Sequence, residues 1–298
     1  MMSNIDLDKE TLNLTYDFFM ENRELLALKN SLEITKSGCI DLAFGSSYAR
    51  NGIDPYCFKK LVNCSVSSMD LEYTLELYEK ITKNEKVTVE NVIIFLGYYA
   101  LYVELNKMKD ASNIYIRDKI LKPLIKEETE VGQYKKIKRQ QKQNILIEAY
   151  KMQERRKGCF NDLYIRKSML GIEKLWESYS ENEKELIGKK RAERHNKFTK
   201  YRNSFSCNTE IIRKIDKLSK KSNTKLIFVI PPFSKHYSKN IQTAMKEELA
   251  QFLKDNNFET VDFNNIDIMD ENDFVDPDHL NGRGAYKRST YLAHAYKI

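Results

Sequence analysis

The sequence predicts an α/β fold in three layers, a parallel sheet covered by helices on both faces, with a large helical insertion. Three observations predict it. Short apolar or β-branched runs alternate with stretches of helical periodicity. Two of the runs, Val92-Ile93-Ile94-Phe95-Leu96 and Leu226-Ile227-Phe228-Val229-Ile230, are uninterrupted, as in strands buried on both faces. The alternation is broken once, by a long charged stretch whose apolar residues recur at helical spacing.

In chain order, residues 1–37 form an N-terminal helical segment, with Leu14, Phe18, Leu25 and Leu28 on its apolar face. Cys39–Phe44 is the first core strand and runs into Gly45-Ser46-Ser47. Leu61-Val62 is a brief second strand, Leu71–Ile81 a helix, and Val92–Leu96 the third strand. Residues 111–221 are the insertion, several amphipathic helices with breaks near Gly158 and Gly188. Leu226–Ile230 resumes the sheet and stops at Pro231-Pro232. A helix over Ile241–Asn256, a strand at Thr260–Asp262 and a last helix from Arg283 complete it. The α/β core is thus residues 38–110 together with 222–298.

Composition narrows the function. Charged residues make up 31% of the 298, and no apolar run reaches the length of a membrane helix, so no transmembrane segment is expected. The N-terminus lacks the basic-then-apolar pattern of a secretory signal. The five cysteines are odd in number and include no CxxC pair, which argues against a disulfide framework. The expected compartment is the cytoplasm. The four histidines include no pair at helical zinc-site spacing, so no metal is expected. The net charge of +7 is uneven: residues 134–222 carry 25 Lys+Arg against 11 Asp+Glu, a surplus of 14 that leaves the rest at −7. Such a basic module suits a phosphate, an acidic glycan or an anionic surface. Nucleic acid ranks last, because Lys135-Lys136-Ile137-Lys138-Arg139 and Lys189-Lys190-Arg191 sit in no recognisable nucleic-acid motif.

Ligands of open parallel sheets sit beyond the carboxyl ends of the strands. Two segments fall at such places: Gly45-Ser46-Ser47-Tyr48 after the first strand, and Asp276-Pro277-Asp278-His279-Leu280-Asn281 before the last helix. A serine hydroxyl needs a base, imidazole suits that task, and a carboxylate on the other ring nitrogen fixes its tautomer. An Asp three residues before the His can meet that need from one short loop.

These two segments resemble the first and last motifs of the SGNH (GDSL-type) hydrolases, including the branch that acylates bacterial cell-envelope glycans. The resemblance covers roughly residues 38–105 and 222–298 and is specific at its two ends. It implies a flavodoxin-like sheet and a catalytic set of Ser47, Asp276 and His279, with Asp278 second in line as the orienting acid. It implies acyl transfer through an acyl-Ser47 intermediate, as an esterase or O-acyltransferase acting on a carbohydrate of a surface polysaccharide or capsule. No bound cofactor is implied; acetyl-CoA is the acyl donor it allows. The middle motifs depart from the family. Asn63-Cys64-Ser65 puts Ser65 where the family has an oxyanion-hole glycine, and Gly97-Tyr98-Tyr99-Ala100 puts Tyr99 where it has an asparagine. Ser65 is therefore expected to offer its backbone N–H and Tyr99 its hydroxyl. Arg50, beside the nucleophile turn, is a candidate for a substrate carboxylate or phosphate, His236 for a crevice contact, and Tyr98 and Tyr102 join Tyr99 as candidate sugar-lining rings. The alternative is a catalytically degenerate glycan- or partner-binding protein with the same fold.

Overall fold

A computed structural model of the chain describes residues 24–25, 27–126 and 176–298. The start of the N-terminal helix with Leu14 and Phe18, the basic stretch Lys135–Arg139 and the break at Gly158 lie outside the described residues. Five strands form one sheet: β1 (Gly38–Phe44), β2 (Leu61–Asn63), β3 (Val87–Phe95), β4 (Lys225–Ile230) and β5 (Thr260–Asp262). All neighbours pair in parallel, in the order β2-β1-β3-β4-β5, which is the flavodoxin-like order. That order reverses between β1 and β3, so a crevice opens beyond their carboxyl ends. Ser47 follows β1, and Gly97 and Tyr99 follow β3.

Side chains alternate across a strand, and the two faces of the sheet separate cleanly here. Leu42, Phe44, Val92, Ile94, Phe228 and Ile230 belong to one core. It is closed by helices α2 (Leu71–Thr82), α4 (Arg202–Lys221) and α6 (Thr243–Asp255), through residues such as Leu77, Ile212 and Leu249. Ala43, Ile93, Phe95, Ile227 and Val229 belong to the other, with Ala49 of α1 (Ser47–Arg50) and Leu292 of α7 (Gly282–Tyr296). Local chemistry sets the helix starts. Asp70 caps α2 by accepting the Tyr73 N–H, and Asn281 caps α7 by accepting the Gly284 N–H. Ser180 and Glu183 form a capping box at the start of α3 (Glu181–Asn196).

The region between β3 and β4 departs from the sequence reading in two ways. First, Gly188 does not break a helix: α3 runs through it. A Cβ there would lie 2.5 Å from the His236 carbonyl oxygen, so the glycine lets α3 press against α5 (Lys235–Ser238). Second, α4, inside the expected insertion, is the helix that returns the chain to β4 and packs beside α2 on the sheet. A further element is absent from the sequence reading. Phe274–Asp276 (β6) and His279–Leu280 (β7) form a two-stranded antiparallel hairpin, with Pro277 and Asp278 as its turn and Asp276 opposite His279. No helix among the described residues is long and apolar enough to cross a membrane.

Candidate active site

The turn before Ser47 is built by a glycine that no other residue replaces easily. Gly45 has φ +148°, and a Cβ on it would stand 3.0 Å from the Phe95 Cβ. Its turn throws the chain from β1 straight into α1, with Ser46 at the N-cap and Ser47 as first helical residue. Helix geometry gives the Ser47 and Tyr48 N–H groups no intrahelical acceptor. Ser47 is therefore not the cap, and its hydroxyl is spent elsewhere.

That hydroxyl lies 2.8 Å from Nε2 of His279. On the far side of the ring, Nδ1 lies 3.0 Å from each Asp276 carboxylate oxygen. Asp276 Oδ1 also accepts the backbone N–H groups of Asp278 and His279, at 3.0 and 2.8 Å, so the hairpin turn holds the carboxylate in place. With Nδ1 donating to Asp276, Nε2 presents its lone pair to the Ser47 hydroxyl.

Asp278, the second carboxylate, is buried and lies 3.6 Å from Nδ1. Its own oxygens are occupied: Arg191 Nε donates to Oδ1 at 2.8 Å and the Tyr48 hydroxyl to Oδ2 at 3.0 Å. Burial alone would raise this carboxyl, but His279 and Arg191 outweigh it and hold it well below the ordinary range. For His279 burial disfavours the charged ring, yet Asp276 and Asp278 more than offset this and raise its pKa above 6.5. Asp276, Asp278 and His279 are also the one group among the described residues with the makings of a metal site, their ligand atoms lying within 4.8 Å of one another. A cation there would have to displace the Arg191 guanidinium from Asp278 and the imidazole from Asp276.

The raised His279 has a signed consequence. To act as a general base His279 must be neutral, so any kcat/KM that depends on it is expected to rise with pH through a midpoint above the ordinary 6.5. A pH–rate profile with a simple ester checks this, and a midpoint below the ordinary value would contradict it. In stability the same group contributes fully below the unfolded value near 6.5, and that contribution is lost as pH rises through the raised folded value.

A cavity of about 180 Å³ opens beside Ser47. Gly97 and Tyr99 line it, as does a face of α3 carrying Arg191, Arg194 and His195. Gly97 is required by packing, since a Cβ would stand 2.6 Å from Tyr48 Cε2. The Tyr99 ring lies against His195, centroids 4.3 Å apart, and burial with the Asp278 charge pushes its phenol up to about 12. Tyr99 thus stays a protonated donor at neutral pH. Burial pushes His195 down to about 3, and its Nδ1 lies 2.7 Å from the Tyr237 hydroxyl.

Several sequence candidates lie off this cavity. The Asn63 side chain folds back to accept the Ser65 N–H at 3.1 Å, which takes away the donor expected for an oxyanion. Asn63 Nδ2 meanwhile donates to the Ala49 carbonyl at 3.1 Å, so this residue anchors α1 instead. Arg50 is buried and pairs with Glu24 at 3.4 Å, facing the N-terminal segment rather than a ligand. His236 is buried beneath α3, with Glu185 at 3.2 Å from its Nδ1. Tyr102 is packed in the core, and Tyr98 lines a neighbouring groove. Sequence reasoning missed Arg194 and His195 and gave Arg191 only a place in a basic run. Their spacing in Arg191-x-x-Arg194-His195, three and four residues apart, is the signal, since it puts them on one helix face. No protein-family model matches the chain, and no curated protein matches it by sequence.

Proposed function

We propose that the protein is a serine-dependent acyl-transfer enzyme of the SGNH kind, an esterase or O-acyltransferase. The observation that carries this reading is the chain of contacts from Ser47 Oγ through His279 to Asp276, at 2.8 and 3.0 Å. The order of the sheet and the position of Ser47 just beyond the carboxyl end of β1 support it further. Ser47 Oγ attacks an ester carbonyl carbon while His279 Nε2 takes the hydroxyl proton. The tetrahedral oxyanion collapses, the C–O bond to the leaving alkoxide breaks, and His279 returns the proton to that alkoxide. Water or a sugar hydroxyl, deprotonated in turn by His279, then releases the acyl group from Ser47. Asp276 holds the ring and offsets the imidazolium charge. A cavity of about 150 Å³ takes a benzene-sized group, so about 180 Å³ suits a short acyl chain such as acetyl. The acceptor this reading favours is a sugar of a bacterial surface polysaccharide, with acetyl-CoA as donor in the transferase form, where the thioester C–S bond breaks instead and His279 returns the proton to the CoA thiolate.

The occupied Ser65 N–H favours a second reading, a glycan-binding or partner-binding protein that retains the fold without turnover. Turnover of nitrophenyl acetate, with and without a sugar acceptor, separates the two: hydrolysis or acceptor-dependent release supports the enzyme, and none supports the binding protein. In the enzyme reading Tyr99 supplies the donor that Ser65 does not. Tyr99→Phe is then expected to lower kcat by about 100-fold with little change in KM, the usual cost of one oxyanion donor. Unchanged kcat in that variant would leave Tyr99 as a wall of the cavity only.

A further inference from the structure

The cavity beside Ser47 is lined by one guanidinium, Arg194, that has no carboxylate partner among the described residues. Arg191, Arg194 and His195 of α3 all line it. Arg191 is tethered through Nε to the buried Asp278 carboxylate, and its side chain is still 30% exposed. Among the described residues its terminal nitrogens meet no hydrogen-bond acceptor. Arg194 is exposed at the rim and makes no ion pair or hydrogen bond among the described residues. Lys189 and Lys190, one turn back, are exposed but line no part of the cavity. Within α3, Arg191 and Arg194 therefore direct charge at the cavity, and Lys189 and Lys190 do not.

Among the described residues, Asp278 pairs with Arg191 and no carboxylate pairs with Arg194. Asp70 is the one carboxylate among the described lining residues. Both its oxygens are committed to backbone donors, Oδ1 to the Tyr73 N–H at 3.1 Å and Oδ2 to the Leu105 N–H at 2.5 Å. His195 is held neutral by its burial. Two guanidinium groups one helical turn apart repel each other, and an anion between them would relieve that repulsion. Their planar forks match carboxylate and phosphate oxygens, and the half-enclosed setting strengthens the attraction over that in water.

We propose that Arg191 and Arg194 form an anion-recognition site at the mouth of the Ser47 cavity, so that the ligand bears a carboxylate or phosphate close to the group presented to Ser47. The proposal rests on the acyl-transfer reading only in calling that ligand a substrate. Arg191 is fixed in advance by Asp278 and sets the position of the anion. Arg194, free at the rim, supplies the second fork and discriminates charged from neutral ligands. The class of substrate this selects is an acidic sugar or a phosphate-bearing donor or sugar.

Isothermal calorimetry on the full chain tests this without turnover, so an inactive triad leaves the result unaffected. The probes are methyl glucuronoside, glucose phosphate and the neutral methyl glucoside. At least one anionic probe is expected to bind measurably tighter than the glucoside, with affinity falling as salt is added. Arg194→Gln, an exposed position whose folding is checked by a thermal melt, is expected to weaken that probe by about tenfold or more while leaving the glucoside unchanged. Arg194→Lys should restore part of the loss. Preference for the glucuronoside identifies the anion as a sugar carboxylate, and preference for glucose phosphate identifies it as a phosphate. Equal binding of charged and neutral probes, no binding of either anion, or an unchanged affinity in Arg194→Gln would overturn the proposal.

Discussion

Ser47→Ala is expected to lower ester turnover by about 10⁶-fold, the scale on which removing a triad nucleophile acts. The fold should survive. Ser47 is not the cap of α1, which is Ser46, and among the described residues its hydroxyl makes one hydrogen bond, to His279. Losing a part-buried bond of this kind costs on the order of 1 kcal/mol. Kinetics of nitrophenyl acetate hydrolysis beside a thermal melt check both halves. Equal turnover in the variant and the parent chain would mean that any hydrolysis comes from another group, and a collapsed melt would give Ser47 a structural role that its contacts do not explain.

Asp276→Asn is expected to cost about 10⁴-fold in kcat, because the amide accepts or donates in place of the carboxylate and permits the wrong imidazole tautomer. Its effect on pH has a definite sign. Asp276 is the larger of the two attractive charges that raise His279, so its removal should shift the rising limb of kcat/KM toward lower pH. Asp278 remains 3.6 Å from Nδ1 in that variant. It is already engaged by Arg191 and the Tyr48 hydroxyl, so it should rescue little of the rate. A loss of less than about tenfold in kcat would make Asp278 the working acid instead.

The sheet was legible because its strands announce themselves. Val92–Phe95 and Leu226–Ile230 are apolar without interruption, and only strands covered on both faces require that. Ser47 was legible for a related reason, since it follows β1 directly, and Asp276 and His279 because they stand three residues apart in one short segment before the last helix. The hairpin of β6 and β7 was not. Its strands hold three and two residues, too few for any period to register, and its support comes from packing of Phe274 and Leu280 against Trp176. Gly188 misled because a glycine serves a close helix contact as readily as a helix end, and sequence alone does not show His236 behind it.

The middle motifs misled in a more instructive way. Position in a motif suggested that Ser65 offers its N–H, yet a neighbouring Asn63 side chain takes that donor within two residues. Arg50 stands near Ser47 in the chain, but it pairs with Glu24 and lines no part of the cavity. What replaces these residues comes from far away. Arg191 reaches Asp278 across 87 positions, and a contact of that span leaves no local trace beyond the spacing of its own helix. Residues supplied by a long connection are set by tertiary packing, and only the structure brings them to the serine.

The central claim is that Ser47 is a nucleophile activated by His279, and active-site labelling tests it most directly. A fluorophosphonate phosphonylates a serine only when its hydroxyl is activated, and mass spectrometry of the digested protein locates the adduct. The expected result is one adduct, on Ser47, lost in His279→Ala and slowed in Asp276→Asn. No adduct on the folded chain, or an adduct on another residue that persists in His279→Ala, would contradict the claim.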